Sequence, residues 1–436
     1  MCKNILIITS YFPQQNSIAS LRPYSWAKYW SKMGHNITVL TTTKNKHDND
    51  LNLGCSDFEI IEVENRFKAN IRKKVIGDKS KVLITDKNSE IFFRSKVLNK
   101  VKEFVEKRGL LGTARMPDFN DFIISDSVNS VKNKQFDMMI STSGPYTEHI
   151  IAQKLKKQNK DIFWIADYRD LWTQNHIFKG LFPFTLVEEY LEKKINNSAD
   201  MITTVSEPLA KQIRDKYKIK NVETIENGFD FEDLNNISKE NYWSDDKIRL
   251  VYTGSIYKGK RDPSPLFEAI EAISKSNDKK LLDKLEVIFV GGSKADLDEL
   301  IEKYTVQRWV GYGGFLPRED SLRMQRDADA LIFLEFEAKG VDGILTGKLF
   351  EYICSGTQIL GIGVTNNSTP GKLISSSGHG INFGKDRESI KKYLLELLNS
   401  NTKYVFIKNI EIIEKYSRKK QAEKILDLVN EYEKQL

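Results

Sequence analysis

Short apolar runs alternate along this chain with longer stretches in which apolar residues recur at helical spacing. Such alternation is typical of βαβ units, in which helices cover both faces of a parallel sheet. The elements predicted in the first half are strand 5–8, helix 25–33, strand 37–41, strand 137–141, helix 147–157, strand 163–167, helix 187–196 and strand 201–206. The first half therefore predicts a doubly wound α/β domain.

The same alternation begins again after a polar stretch that ends at Lys247. The elements predicted there are strand 249–254, helix 265–274, strand 287–292, helix 294–303, a short strand near Val310, helix 321–326, strand 330–335, a helix that carries Glu351, and strand 358–363. This pattern predicts a second doubly wound α/β domain.

The polar stretch is the natural place for a domain boundary. We predict an N-terminal domain over 1–235, a second domain over 236–409, and a charged amphipathic helix over 410–436 that packs back across the domain seam. Residues 52–136 do not fit the simple repeat and are predicted to be an insertion in the first domain.

Composition agrees with a soluble, folded chain of 436 residues, because 40% are hydrophobic and 29% are charged. No apolar run approaches the roughly eighteen residues that a membrane-spanning helix needs. The three cysteines, Cys2, Cys55 and Cys354, form no CxxC pair, and the five histidines form no cluster with cysteines or carboxylates. We therefore predict neither a disulfide framework nor a metal site.

Positive charge is concentrated in one segment. Residues 66–108 contain fourteen Lys or Arg and five Asp or Glu, a net charge of +9 in a chain whose total is +7. Such a segment suits a solvated face, a nucleic-acid contact or an anionic membrane surface. Few aromatic residues interleave its charges, which argues against nucleic acid. Residues 97–111 have apolar residues at helical spacing, which is typical of a helix that lies at a membrane interface. The same spacing is equally typical of an amphipathic helix that packs on its own domain.

A glycine-punctuated loop opens into a helix within residues 340–356. The first turn of a helix has unpaired N–H groups and partial positive charge, so Thr346, Gly347 and Lys348 are candidates to hold a diphosphate. Glu351 shares a helical face with Lys348 and is a candidate acceptor for sugar hydroxyls. The alternative is an ordinary loop-to-helix junction.

Further candidates follow the first strand of the second domain. Gly254 and Ser255 lie at the carboxyl end of this strand, where ligands bind in open α/β sheets. Lys258, Lys260 and Arg261 follow at once, and three cations at that edge would neutralise a diphosphate. The alternative is a solvated basic turn.

Strand ends of the first domain provide candidates for holding phosphates, the acceptor or the transferred sugar. His149, inside a predicted helix, is expected to be a structural partner instead. An alternative for the cluster at 167–170 is a buried Arg–Asp pair that stabilises a turn. The candidates are Ile18, Ala19, Ser20, Arg22, Ser143, Gly144, Asp167, Arg169 and, as a catalytic group, Asp170.

The second half resembles the donor-nucleotide domain of retaining glycosyltransferases of family 4, which have the two-domain GT-B architecture. Motifs that carry the resemblance are TGS (253–255), KR (260–261), FVGG (289–292), VGYGGFLPRED (310–320), ADALIFLE (328–335) and GILTGKLFEYICSG (343–356). In the first half, residues 5–42, FWIADYRDLW (163–172) and ADMITTVSEPLA (199–210) resemble the same family. The resemblance implies two Rossmann-like domains that face a central cleft.

The resemblance also implies roles for particular residues. Lys260 matches a lysine that holds the donor phosphates, and Ser255 replaces the family's arginine, with Arg261 or Lys258 as a substitute. Glu351 matches the second glutamate of a Glu-x7-Glu pattern, which binds the nucleotide ribose. The first glutamate of that pattern falls on Gly343, beside Asp342.

The expected function is a metal-independent, retaining glycosyltransferase that uses a nucleotide-diphosphate sugar. By resemblance, its acceptor is a glycan or a lipid-linked glycan in bacterial capsule or O-antigen synthesis. Its expected location is the cytoplasm, at the inner face of the membrane through residues 66–108. The alternatives are a nucleotide-sugar epimerase of the same architecture and a non-catalytic basic binding protein.

Overall fold

The structure is a computed structural model that describes most of the chain. It describes all residues except 1, 14, 16–17, 44–56, 68–102, 113, 176–177, 236, 257–258, 337–344, 401–406 and 435–436. The chain forms two compact units. The N-terminal unit contains Met1–Glu226 and Ala422–Leu436, and the C-terminal unit contains Asn227–Gln421.

The N-terminal unit is built on a parallel sheet of seven described strands in the order β3-β2-β1-β4-β5-β6-β7. The strands are β1 (Asn4–Ile8), β2 (Asn36–Thr42), β3 (Glu59–Val63), β4 (Met138–Ser143), β5 (Phe163–Tyr168), β6 (Met201–Thr204) and β7 (Val222–Thr224). The central strands β4 and β5 are buried along their whole length, as expected for a parallel sheet with both faces covered.

Helices cover this sheet. Their bounds are Ile18–Lys32, Ile124–Val131, Thr147–Gln158, Phe184–Asn196 and Glu207–Tyr217, with a 3₁₀ helix at Phe119–Ile123. The sequence prediction that 52–136 stands outside the repeat is wrong in part, because β3 and Ile124–Val131 lie within it and belong to the sheet and its helical cover.

The C-terminal unit repeats this architecture with six described strands, all parallel, in the order β10-β9-β8-β11-β12-β13. The strands are β8 (Ile248–Thr253), β9 (Leu285–Val290), β10 (Val310–Tyr312), β11 (Ala330–Leu334), β12 (Ile359–Ile362) and β13 (Gly380–Gly384). Its helices are Phe231–Asn235, Ser264–Ser274, Lys294–Lys303, Arg318–Asp327, Gly347–Ser355, Thr369–Ser376, Arg387–Ser400 and Ile410–Lys415, with a 3₁₀ helix at Asn277–Lys284.

The predicted single helix over 410–436 is in fact two helices, Ile410–Lys415 and Arg418–Glu433. The break has a local cause, because backbone groups between them bond to Phe229. The Phe229 N–H donates to the Tyr416 carbonyl at 3.2 Å, and the Arg418 N–H donates to the Phe229 carbonyl at 2.7 Å. The predicted fold class, α/β with two Rossmann-like doubly wound domains, is confirmed.

Candidate functional site

Strand order reverses at one point in each sheet, between β1 and β4 in the N-terminal unit and between β8 and β11 in the C-terminal unit. In open α/β sheets, the loops at the carboxyl ends of the two strands that flank the reversal form the ligand crevice. A ligand site is therefore expected at the loop after β8 (254–261) and at the residues that follow β11.

The loop after β8 lies against the start of the helix Gly347–Ser355. The Thr253 N–H donates to the Tyr352 hydroxyl at 2.8 Å, and Lys348 Nζ lies 3.8 Å from the centroid of the Tyr252 ring. A Cβ at Gly254 would lie 2.7 Å from Lys348 Nζ, and its φ of +116° is unfavourable for other residues. Gly254 thus permits the close approach of the β8 loop to Lys348.

Two further cations converge on the same place. Arg261 Nη1 donates to the Ser255 carbonyl at 3.3 Å. Lys260 Nζ and Arg261 Cζ lie 5.4 and 5.7 Å from the centroid of the Phe336 ring. Because Phe336 follows β11, these cations reach the loop on the other side of the strand reversal. Sequence reasoning did not single out Phe336, because its contact with Lys260 and Arg261 depends on the order of the strands in the sheet.

The electrostatics of this cluster are unfavourable for a protonated lysine. Burial lowers the pKa of Lys348 well below its ordinary value, the Arg261 charge lowers it further, and Glu351 opposes both effects. An anion bound beside Lys348 would stabilise its charged form. The cluster can therefore bind a compact polyanion.

The start of the helix Gly347–Ser355 lacks a side-chain cap. Thr346 occupies the N-cap position, its side chain makes no capping hydrogen bond, and the first turn contains no acidic residue. Among the described residues, Thr346 Oγ1 is a buried hydroxyl oxygen without a hydrogen-bond partner. The N–H groups of this turn are thus not satisfied by a capping side chain and are suited to binding phosphate oxygens.

Glu351 is held in a network that sequence reasoning missed. Arg318 Nη1 donates to Glu351 Oε1 at 2.5 Å, and Arg318 Nη2 donates to Asp233 Oδ2 at 2.8 Å. Arg418 Nη1 lies 3.5 Å from the same Asp233 oxygen. Burial disfavours the Arg318 charge, but the two carboxylates outweigh it and raise the pKa of Arg318. Arg318 orients the Glu351 carboxylate, and no local sequence signal links residues 33 positions apart.

Three candidates from the sequence fall outside the described residues. They are Lys258 in the β8 loop, and Asp342 and Gly343 in the loop before Gly347–Ser355.

In the N-terminal unit, Arg169 ties together the loops at the β1–β4 reversal. Its guanidinium donates to the carbonyls of Ala19 at 3.0 Å, Ser143 at 2.9 Å and Gly144 at 2.7 Å. The hydroxyls of Ser20 and Ser143 are buried and have no hydrogen-bond partner within the described part of the chain. The structure thus brings the start of the first helix next to the loop after β4.

Asp167 is paired with Arg22 of the first helix. Arg22 Nε and Nη2 donate to its carboxylate at 3.1 and 2.7 Å, and the hydroxyls of Thr142 and Thr203 donate at 2.7 and 2.8 Å. Burial opposes ionisation, but the Arg22 charge outweighs it, so the pKa of Asp167 lies below its ordinary value. The arginine paired with Asp167 is therefore Arg22 of the first helix and not the neighbouring Arg169. Asp170 is exposed.

Glu148 is another residue that sequence reasoning missed. Its carboxylate accepts the Ser10 N–H at 2.7 Å and the Thr147 hydroxyl at 3.2 Å, which joins the loop after β1 to the helix after β4. Burial raises the pKa of Glu148 to about 7. The neighbouring His149 contacts Ser141 Oγ at 2.7 Å, and burial lowers its pKa to about 3, so its ring is neutral at physiological pH.

None of the described residues form a group of three or more His, Cys, Asp or Glu arranged to hold a metal ion. None of the helices in this part of the chain has the length and apolarity needed to cross a membrane.

No protein-family model matches this chain, and no curated protein matches it. Solved structures do match. A glycosyltransferase from Rickettsia africae ESF-5 is 13% identical with a TM-score of 0.59, and the alignment covers 99% of this chain and 98% of that one. A mutant of S. aureus TarM, solved with Fondaparinux, alpha-GlcNAc-glycerol and UDP, is 12% identical with a TM-score of 0.56 and coverages of 98% and 100%. The UDP-GlcNAc 2-epimerase from Methanocaldococcus jannaschii is 12% identical with a TM-score of 0.52 and coverages of 99% and 99%.

At these identities, the likeness concerns the fold and extends over almost the whole length of each chain. The two parallel sheets with helices on both faces are those of the GT-B fold.

Proposed function

We propose that this protein is a glycosyltransferase that moves a sugar from a nucleotide-diphosphate sugar to a hydroxyl acceptor. The GT-B fold supports a nucleotide-sugar enzyme, because a glycosyltransferase and a UDP-GlcNAc 2-epimerase both share it. The proposed acceptor is a lipid-linked glycan of bacterial capsule or O-antigen synthesis, which rests on the family resemblance of the sequence.

The observation that carries the proposal is the cationic cluster at the β8–β11 reversal. Lys348 is close to Gly254, Arg261 bonds to Ser255, and Lys260 lies near Phe336. A diphosphate would offset the mutual repulsion of these cations and occupy the uncapped start of Gly347–Ser355.

The proposed chemistry is electrostatic and needs no metal. Negative charge develops on the leaving diphosphate as the glycosidic bond breaks, and preorganised donors stabilise it. Lys260, Arg261, Lys348 and the N–H groups of Thr346 and Gly347 supply those donors. Retention of anomeric configuration follows the family resemblance.

Glu351 binds the nucleotide ribose in this proposal, and Arg318 orients its carboxylate through the 2.5 Å bond to Oε1. Asp342 and Gly343, where the family's sugar-facing glutamate would stand, are assigned to the sugar.

The proposed acceptor side lies at the β1–β4 reversal of the N-terminal unit. Arg169 holds the backbone of Ala19 and Ser143 in place, and the buried hydroxyls of Ser20 and Ser143 supply hydrogen-bonding groups. The remaining groups assigned to this side are Ile18, Arg22, Gly144, Asp167 and Asp170.

The proposed location is the cytoplasm, at the inner face of the membrane. The basic segment 66–108 is the assigned contact with anionic lipid, and most of it lies outside the described residues.

Lys260→Ala and Glu351→Ala test the proposal. Each variant is expected to lower transfer by about 10²–10³-fold, because each removes a group that acts on the donor. The matched control is Lys279→Ala, which removes an exposed lysine of the same unit. Transfer is measured with nucleotide sugars that raise the melting temperature of the wild type in a thermal-shift screen.

The melting temperatures of the variants decide between the functional and structural readings. Unchanged melting with lost transfer supports the proposal, and full transfer in either variant contradicts the role of that residue. Unfolding of both variants would show that the two side chains are structural.

Epimerisation is the second candidate, because UDP-GlcNAc 2-epimerases share the fold. An epimerase removes and returns a proton on the sugar ring. Incorporation of solvent deuterium into the nucleotide sugar without any acceptor would favour epimerisation over transfer.

A further inference from the structure

The helix Phe184–Asn196 buries two glutamates and exposes three apolar side chains. Its buried positions include Glu188, which is 0% exposed, and Glu192, which is 2% exposed. Its outward positions include Leu186, Val187 and Tyr190, which are 59%, 44% and 63% exposed. A helix that packs on a core ordinarily buries such apolar residues and exposes its glutamates.

The buried glutamates hold the helix in this orientation. Glu188 accepts hydrogen bonds from the Arg115 guanidinium, among them one from Nη2 at 2.5 Å, and from the Met116 N–H at 2.6 Å. Glu192 accepts a hydrogen bond from the Tyr217 hydroxyl at 2.5 Å. Rotation of the helix would leave a buried arginine without its carboxylate, which is strongly unfavourable. The outward apolar side chains are therefore a fixed feature of the fold.

More apolar side chains extend this surface. Phe182 is 73% exposed and lies four residues before Leu186, and Phe104 is 46% exposed. Arg108 joins the two segments, because its Nη1 donates to the Gly180 carbonyl at 2.8 Å and its Cζ lies 5.3 Å from the centroid of the Phe104 ring. We call Phe104, Phe182, Leu186, Val187 and Tyr190 the apolar face.

Basic residues border the apolar face. Lys193 and Lys194 are exposed at the end of the helix, and Lys194 Nζ lies 5.5 Å from the centroid of the Tyr190 ring. Glu189 is an acidic residue on the same exposed side. Phe104 lies between the exposed residues Glu103 and Glu106, and the exposed Lys107 follows them. Apolar and aromatic side chains bordered by lysines are the composition of a surface that lies in a membrane interface.

We propose that the apolar face inserts into the headgroup region of an anionic membrane, with its lysines at the phosphates. The proposal rests on the membrane part of the proposed function and is independent of glycosyl transfer. Anionic lipid complements the exposed lysines of this border.

Co-sedimentation with vesicles tests the proposal. The double variant Leu186→Ser, Tyr190→Ser is expected to lower the partition of the protein into phosphatidylcholine–phosphatidylglycerol vesicles by roughly tenfold or more, because two large apolar side chains are lost. The matched control is Ile407→Ser, Ile410→Ser, which removes two apolar side chains that are 92% and 58% exposed in the C-terminal unit. This control is expected to bind vesicles like the wild type.

Three results would overturn the proposal. They are equal binding of the wild type to pure phosphatidylcholine vesicles, wild-type binding by the double variant, and a dimer in solution that the double variant converts to a monomer. Thermal-shift measurements with UDP and other nucleotides on the same proteins keep the two proposals separate. If the wild type binds anionic vesicles but no nucleotide, the result is compatible with the apolar face as a membrane contact and contradicts the proposed glycosyl transfer.

Discussion

Glu148 and Asp167 show how the partner of a buried carboxylate decides its charge. They are 1% and 0% exposed, so both pay a large desolvation cost on ionisation. Asp167 faces the Arg22 guanidinium, and its pKa lies below the ordinary value. Glu148 accepts hydrogen bonds from the neutral Ser10 N–H and Thr147 hydroxyl, and burial raises its pKa to about 7.

Replacement of Glu148 by Gln is expected to remove part of the pH dependence of stability. Between the ordinary pKa of 4.5 and the folded pKa of about 7, the folded protein binds a proton that the unfolded chain releases. The free energy of unfolding therefore falls as the pH rises through this window, by up to about 3 kcal/mol. Glu148→Gln keeps an acceptor for the Ser10 N–H and should lack this loss. Urea unfolding at pH 5 and pH 8 measures the difference.

The control for this prediction is Glu62→Gln, because Glu62 is exposed on β3. It should reproduce the wild-type pH dependence. The same loss of stability in Glu148→Gln as in the wild type would show that Glu148 is already ionised at pH 5.

At the scale of elements, the loops after β8 and β9 approach so closely that only glycine fits between them. Gly292 has a φ of +76°, and a Cβ there would lie 2.7 Å from the Ser255 Cα and 3.2 Å from the Gly254 carbonyl oxygen. The sequence places two glycines after a strand, but the close contact that requires glycine at position 292 is with a loop that follows a different strand.

Gly292→Ala is expected to destabilise the protein more than Gly314→Ala. Both glycines have nearly the same φ, +76° and +77°, but a Cβ at Gly314 would meet nothing within 4 Å. Gly314→Ala should therefore cost about 1–2 kcal/mol for the backbone conformation alone. Gly292→Ala should cost about 1–3 kcal/mol more, because backbone atoms must move. Urea unfolding of the two variants measures this difference, and equal costs would contradict the close contact.

On the scale of the whole molecule, the end of the chain completes the core of the N-terminal unit. Ala422, Ile425 and Val429 on the helix Arg418–Glu433 are each 0% exposed and lie in the same apolar cluster as Trp30. The Trp30 indole N–H donates to the Ala422 carbonyl at 2.9 Å across 392 positions of sequence.

Ile425→Ala is expected to destabilise the N-terminal unit by about 2–5 kcal/mol, because it leaves a cavity in that core. Its control is Asp427→Ala on the exposed side of the same helix, which should change stability by no more than about 0.5 kcal/mol. Urea unfolding followed by tryptophan fluorescence is the measurement. A small effect of Ile425→Ala would show that the N-terminal unit folds without this helix.

Strands in the middle of each sheet were predictable and most edge strands were not. Central strands such as β4 and β5 are continuous apolar runs because helices cover both of their faces. The missed strands, β3, β7 and β13, are at the edges of their sheets and are short or half exposed, so their apolar signal is weak. The short edge strand β10 was predicted near Val310.

Local patterns of the sequence alone determined the two parallel α/β units and the strand ends that carry candidate residues. Only the tertiary structure decided which of those residues meet. Arg22 with Asp167 and Arg318 with Glu351 are pairs whose members lie 145 and 33 positions apart, and strand order brings them together. The outward apolar face of Phe184–Asn196 was decided in the same way, because the buried partner of Glu188 is an arginine from another segment. Periodicity is a local property of the chain, whereas the partner of a buried charge depends on the packing of the whole unit.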